Sequence, residues 1–206
     1  MTKNVLGWGL RALGNCPEPR TQSPEQSLGR RALRMLVRLS LLAAVGCGPE
    51  MIGKDWKRIE PQVAAFDFTL PQLAGDPVNL SDYRGRVVIM EFWATWCGPC
   101  RFSLPSLEVI YKKYRDRGVS VLLVNEGETA DEITRWAGKR FTAPILLDAQ
   151  SDVAASYRVQ GLPRLFVIGQ DGNVLYEHEG YGGGLERSLS LILEQLVPQR
   201  ASPTHA

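Results

Sequence analysis

Histidine is almost missing from this 206-residue chain, which has only His178 and His205. Cysteine is scarce too, at four: Cys16, Cys47, Cys97 and Cys100. So few thiols, so widely spread, exclude a disulfide-dense scaffold. A tetrahedral zinc site using Cys97 and Cys100 would need two more ligands. One histidine lies in the last expected strand and the other in the tail, so no metal is expected. Internal repeats are absent. The apolar stretch Leu39–Gly46 is about half the length that spans a bilayer. A basic body is absent as well. Residues 1–46 hold seven Lys/Arg against two acids, which leaves 17 basic and 20 acidic side chains for residues 47–206. The positive charge belongs to the leader, and nothing supports nucleic-acid binding. With 44% apolar residues the chain is expected to form one domain with tails.

The leader has a readable order. Arg30, Arg31, Arg34 and Arg38 precede the apolar Leu39–Gly46, and Cys47 follows directly. A basic stretch, a short apolar stretch and small residues before a break make an export signal. Small residues ending at a cysteine resemble the lipobox of bacterial lipoproteins, which implies that Cys47 is lipidated and becomes the first mature residue. Ala44 departs from that pattern, where Leu is usual. An ordinary export signal or an uncleaved anchor are the other readings. Residues 1–29 fit no signal segment, so Met35 is the expected start, and Cys16 would then fall outside the protein. Residues 47–60 are expected to be a linker that lifts the domain off a membrane, residues 61–197 the domain, and residues 198–206 a disordered tail.

Within the domain, Phe66–Leu70 alternates like a strand, and Val78–Leu80 is a short strand after the turn at Gly75-Asp76-Pro77. Ser81–Gly85 is a single helical turn. Val87–Trp93 is nearly all apolar, as a central strand buried on both faces would be, and only Glu91 interrupts it. A long helix opens near Cys97, with Cys100, Leu104, Leu107, Tyr111 and Tyr114 on one face, an expected kink at Pro105 and an end at Gly118. Val119–Asn125 is a second buried strand, residues 130–141 a helix, Pro144–Leu147 a strand and Ser151–Tyr157 a short helix. Gln170–Asn173 turns a hairpin between Leu165–Ile168 and Val174–Glu179, and Leu185–Leu196 is a closing amphipathic helix. This order predicts an α/β fold, a mixed central sheet flanked by helices on both faces.

The chemistry concentrates at Trp96-Cys97-Gly98-Pro99-Cys100. Two cysteines two residues apart close a small disulfide ring or share a metal. Placed between a strand and a helix N-terminus, they read as a redox site, because the unpaired N–H groups there favour a thiolate. Pro99 suits a first helical turn. Glu91 is the other anomaly. A carboxylate in a buried strand is costly unless paired or neutral, and burial raises its pKa toward the range of a general acid or base. The alternative is a solvated position at a sheet edge. Trp93 is expected to pack beneath the site and Trp96 to lie on its surface. Glu126 and Glu128 read as a solvated loop.

Phe66-Asp-Phe-Thr-Leu70, Gly85-Arg-Val-Val88, Phe92 through Arg101, Pro105, Gly161-Leu-Pro163 and Asp171-Gly172 occur in that order. On these motifs the chain resembles membrane-tethered thioredoxin-fold thiol–disulfide oxidoreductases of the TlpA/ResA type, over about residues 61–197. The resemblance implies that Cys97 attacks and Cys100 resolves, with no cofactor beyond their redox-active disulfide. It implies a cis bond before Pro163 that turns Leu162 toward an extended substrate. Trp96, Gly98, Pro99 and Leu162 would then face substrate. Arg164 departs from the pattern, where Thr is usual, and would face the substrate groove and favour an acidic or haem-propionate-bearing partner, or stand as a solvated edge charge. Glu91 matches the buried aspartate of cytosolic thioredoxins and would take the proton of Cys100. Ser103 stands where many relatives carry Glu, and Glu91 would then replace that acid. The implied protein is a monomeric, periplasmic or extracytoplasmic reductase at a membrane. It would be recharged by a membrane thiol–disulfide donor and act on exported disulfide proteins such as apocytochrome c. Two other readings share this fold. A Sco-type copper-delivery module needs C-x-x-x-C and a distal His. A thiol peroxidase needs a lone Cys after Pro-x-x-x-Thr.

Overall fold

The computed structural model describes residues 56–197. The leader 1–46, Cys16, Met35, Cys47, residues 48–55 and the tail 198–206 with His205 lie outside the described residues. Eight strands and four α-helices follow one another: β1 (Trp56–Ala64), β2 (Thr69–Leu70), β3 (Val78–Asn79), β4 (Val87–Trp93), α1 (Cys100–Tyr114), β5 (Val119–Glu126), α2 (Ala130–Ala137), β6 (Ile145–Asp148), α3 (Asp152–Ser156), β7 (Arg164–Ile168), β8 (Asn173–Glu179) and α4 (Leu185–Leu196). Six strands form one sheet in the order β1-β8-β7-β4-β5-β6, and β2 and β3 form a small hairpin beside it. β4, β5 and β6 run parallel, while β7, β8 and β1 are antiparallel to their neighbours. The mixed α/β sheet expected from the sequence is present.

Alternation along β4 divides the core. Val87, Ile89 and Trp93 pack with α1, Ile133 of α2 and the apolar side of α4. Val88, Met90 and Phe92 pack with α3 and the β2–β3 hairpin. Both parallel crossovers, through α1 and α2, therefore lie on one face, as right-handed connections moving one way along a sheet require. Glu91 sits between Ile89 and Trp93 and so faces the α1 side. α1 continues through Pro105, which lies on its exposed side. Gly118, at φ 80°, makes the left-handed turn into β5. α2 opens on a capping box between Thr129 and Glu132. Arg117 holds Glu194 of α4 through two hydrogen bonds of 2.6 and 2.8 Å, joined by the Tyr114 hydroxyl at 2.9 Å.

Three boundaries differ from the sequence expectation. Residues 56–60 are sheet rather than linker: β1 begins at Trp56, which pairs with His178. Its side chains are mostly exposed, so backbone pairing at a sheet edge holds it and no apolar pattern marks it. Pro61 is tolerated there because an edge strand has a free side. Phe66–Leu70 is strand only at its last two residues. The second helix ends at Ala137, and Gly138 follows it, so Phe141 lies in the next loop.

Candidate active site

The site lies beyond the carboxyl ends of β4 and β5, where open α/β sheets place ligands. β4 ends at Trp93, and Ala94–Pro99 carries the chain to α1. Cys97 and Cys100 are joined in a disulfide with their Cα atoms 5.3 Å apart. Both cysteines are buried, but Cys97 keeps 3% exposure and Cys100 none, so Cys97 is the one nearer the surface. The Cys100 N–H donates to Cys97 Sγ at 3.2 Å. Among the described residues this is the hydrogen bond that Cys97 Sγ receives, and Gly98 and Pro99 add neither charge nor side-chain donor.

Register places Arg164 opposite Phe92, so Pro163 stands at the end of β4 beside the redox loop. Leu162–Pro163 is a cis bond. Pro163 accepts a backbone hydrogen bond from Gly180 at 2.8 Å. Trp96 is 71% exposed, Gly98 and Pro99 are exposed, and Trp93 is buried against Trp136.

Arg164 does not match its expected role. It is half-buried, its guanidinium bonds Glu177 at 3.1 Å, and it also pairs with Glu179. Lys57 shares Glu177. Two carboxylates already neutralise this cation, so it offers no charge to an acidic partner and is no solvated edge charge either. The sequence could not show this, because the partners come from β8.

Glu91 is fully buried, which removes the sheet-edge alternative. Ser103 Oγ donates to Glu91 Oε1 at 2.6 Å and also contacts the Cys100 carbonyl at 3.2 Å. Glu91 Oε2 has no hydrogen-bond partner. Burial pushes the carboxyl up to about 8, and the Ser103 hydrogen bond offsets only part of that. Near neutral pH it is mostly a neutral acid on the same side of the sheet as Cys97 and Cys100. Ser103, which in the sequence marks only the absence of an acid, thus tethers Glu91 to the first turn of α1.

Glu128 is buried, not the solvated loop residue that the sequence suggests. Its carboxylate accepts from the Thr95 N–H at 2.6 Å, from the Thr95 hydroxyl, and from Asn125 Nδ2 at 2.7 Å. It therefore pins the loop that presents Cys97 to the end of β5. No periodicity marks a residue in a loop, so only the fold reveals it. Glu126, two residues earlier, is partly buried, and burial together with nearby Asp148 raises its pKa. Glu128→Ala should leave three donors without their acceptor and cost about 2–4 kcal/mol of stability. Urea unfolding at pH 7 checks this; a loss under about 0.5 kcal/mol would show that Glu128 does not hold the loop.

A buried cysteine pair at a helix N-terminus, a proline-led strand beside it and a mixed sheet define a thioredoxin-fold thiol–disulfide oxidoreductase. The chain belongs to the AhpC/TSA family, whose model matches residues 61–177, and within it to the ResA-type thiol–disulfide oxidoreductases. It is 38% identical over 151 residues to thiol-disulfide oxidoreductase ResA of Geobacillus kaustophilus strain HTA426, covering 70% of this chain and 84% of that relative. Among solved structures, a Chlorobium tepidum protein assigned as the thiol:disulfide interchange protein DsbE is 34% identical with a TM-score of 0.62, covering 67% of this chain and 99% of that one. An exposed lipoprotein thioredoxin of Streptococcus pneumoniae strain TIGR4 is 31% identical with a TM-score of 0.56, covering 64% and 100%. The substrates of such an enzyme are disulfide-containing proteins.

Proposed function

We propose that the protein is an exported, membrane-tethered disulfide reductase that works as a monomer. Its resting form is the dithiol. Cys97, as thiolate, attacks a client disulfide, one client sulfur leaves, and a mixed disulfide forms. Cys100 gives its proton to the ionised fraction of Glu91 and attacks Cys97 Sγ; the second client sulfur is expelled as a thiolate, takes up a proton, and leaves the client reduced by two electrons. A membrane thiol–disulfide donor restores the dithiol. Apocytochrome c and other exported proteins are the client class that the family resemblance suggests.

The observation that carries the direction is the sparse stabilisation of Cys97. Strong oxidants of this fold stabilise the reduced thiolate. Here one backbone N–H meets the sulfur, and Gly-Pro adds neither charge nor side-chain donor. The full chain, equilibrated with glutathione and thioredoxin redox buffers, should show a potential near or below about −250 mV. A value near about −120 mV would make the protein an oxidant.

The tether rests on the Cys47 pattern, and the pneumococcal relative, named as an exposed lipoprotein, supports it. Cys47→Ser should move the protein from the membrane fraction to the soluble one. Unchanged fractionation would remove the lipid anchor from this reading.

A further inference from the structure

A groove of about 320 Å³ opens beside the redox loop, lined by Arg101, Pro105, Glu108, Trp136, Arg140 and Phe141. Its position is fixed by Arg101, the residue after Cys100, whose guanidinium reaches the Thr95 carbonyl at 3.4 Å. Its apolar wall is the stacked pair Trp136 and Phe141, with ring centres 6.1 Å apart. Arg140 lies over the Trp136 ring at 5.5 Å.

Charge separates this groove from the rest of the rim. Neither Arg101 nor Arg140 is within ion-pair distance of a carboxylate among the described residues, whereas Arg164 holds two. The one acid in the groove, Glu108, is already engaged. It accepts from Thr142 N at 3.0 Å, Thr142 Oγ1 at 2.6 Å and Ala143 N at 3.2 Å, and it pairs with Lys112 at 3.0 Å. The groove therefore presents two uncompensated guanidiniums over an aromatic wall. Guanidinium is suited to planar carboxylates, and an aromatic wall suits an apolar side chain between them.

We propose that this groove binds an acidic, apolar-containing segment of the client next to its reactive cysteine. The inference rests on the oxidoreductase reading, since a client sulfur at Cys97 brings its neighbouring residues past Arg101. Three extended residues span about 10 Å, enough to carry a segment from the sulfur across the first turn of α1.

The test uses two disulfide-cyclised peptides that differ only beside the cysteine, one flanked by Glu-Leu-Glu and the other by Gln-Leu-Gln. The reduced full chain should favour the acidic peptide in kcat/KM by about three- to tenfold at low salt. Raising the salt to about 0.5 M should erase most of that ratio, because exposed charges are screened. R101Q/R140Q should bring the ratio to about one, and R101K/R140K should restore part of it. Serine versions of both peptides, titrated by calorimetry against the same proteins, should show the same order of affinity and read the groove independently of redox turnover. A ratio near one in the wild-type protein, or a ratio retained in R101Q/R140Q, overturns the proposal. Failure to reduce either peptide or insulin, with the calorimetric preference intact, would instead remove the reductase reading and leave the groove standing.

Discussion

Cys100→Ser is expected to stop the reaction at a stable mixed disulfide between Cys97 and the client. The geometry assigns the two sulfurs different roles. Cys97 is the only one with any exposure, and Cys100, with its Cα 5.3 Å away, is fully covered. A client disulfide can therefore meet only Cys97 Sγ. Once the mixed disulfide exists, the sulfur in reach on the protein side is Cys100. A serine hydroxyl stays protonated and does not open a disulfide, so the second half of the reaction is lost while the first survives. Multiple turnover should fall to the background of client with free thiol. A non-reducing gel or intact mass should show one client per chain. Cys97→Ser should give neither turnover nor adduct. An adduct on Cys100 in that variant, or turnover by Cys100→Ser, would reverse the roles.

The redox pair and the framework around it were legible because their signals are local. Val87–Trp93 is buried at every position, and a strand buried on both faces has no other reading at that length. The Cys-Gly-Pro-Cys spacing and the helix after it lie within one stretch of chain. What escaped depends on partners distant in sequence. Arg164 looks like a free cation until β8 supplies Glu177 and Glu179. Glu128 looks solvated until the chain folds Thr95 onto it. β1 lacks alternation because edge pairing rather than burial holds it. Glu91 is the intermediate case. A charge inside an apolar run announces itself, but its partner Ser103 comes from the facing helix.

Glu91→Gln is expected to slow opening of the Cys97–Cys100 disulfide while making the protein more stable at alkaline pH. Attack of an external thiolate on Cys97 Sγ expels Cys100 as a thiolate in a fully buried place. A neutral acid nearby can protonate it, and burial holds the Glu91 carboxyl at about 8, so below that pH the proton is present. Above it the acid is ionised and the help is gone. With dithiothreitol as reductant, and rates divided by its thiolate concentration, the wild-type rate should be highest below pH 8 and fall through that value. Gln holds no transferable proton, so the variant should be slower by about 10²-fold at pH 6–7 and flat across the range. A wild-type profile without this fall, or a variant that keeps it, would show that Glu91 moves no proton.

The same burial sets a stability effect of opposite sign. Folded Glu91 keeps its proton up to about 8, whereas an unfolded glutamate loses it near 4.5. Between those values the native state binds more protons than the unfolded one, so stability declines as pH rises. The neutral carboxyl's contribution is complete below the lower value and lost once pH passes the upper one. A glutamine side chain does not titrate and so removes this decline. At pH 9 Glu91→Gln should therefore exceed the wild-type protein by roughly 2–4 kcal/mol in urea unfolding. At pH 4 the two should nearly coincide, because both side chains are then neutral. A group that gives up stability at alkaline pH yet speeds the redox step would be retained for the chemistry, whereas a purely structural carboxylate would lose stability on replacement at both pH values.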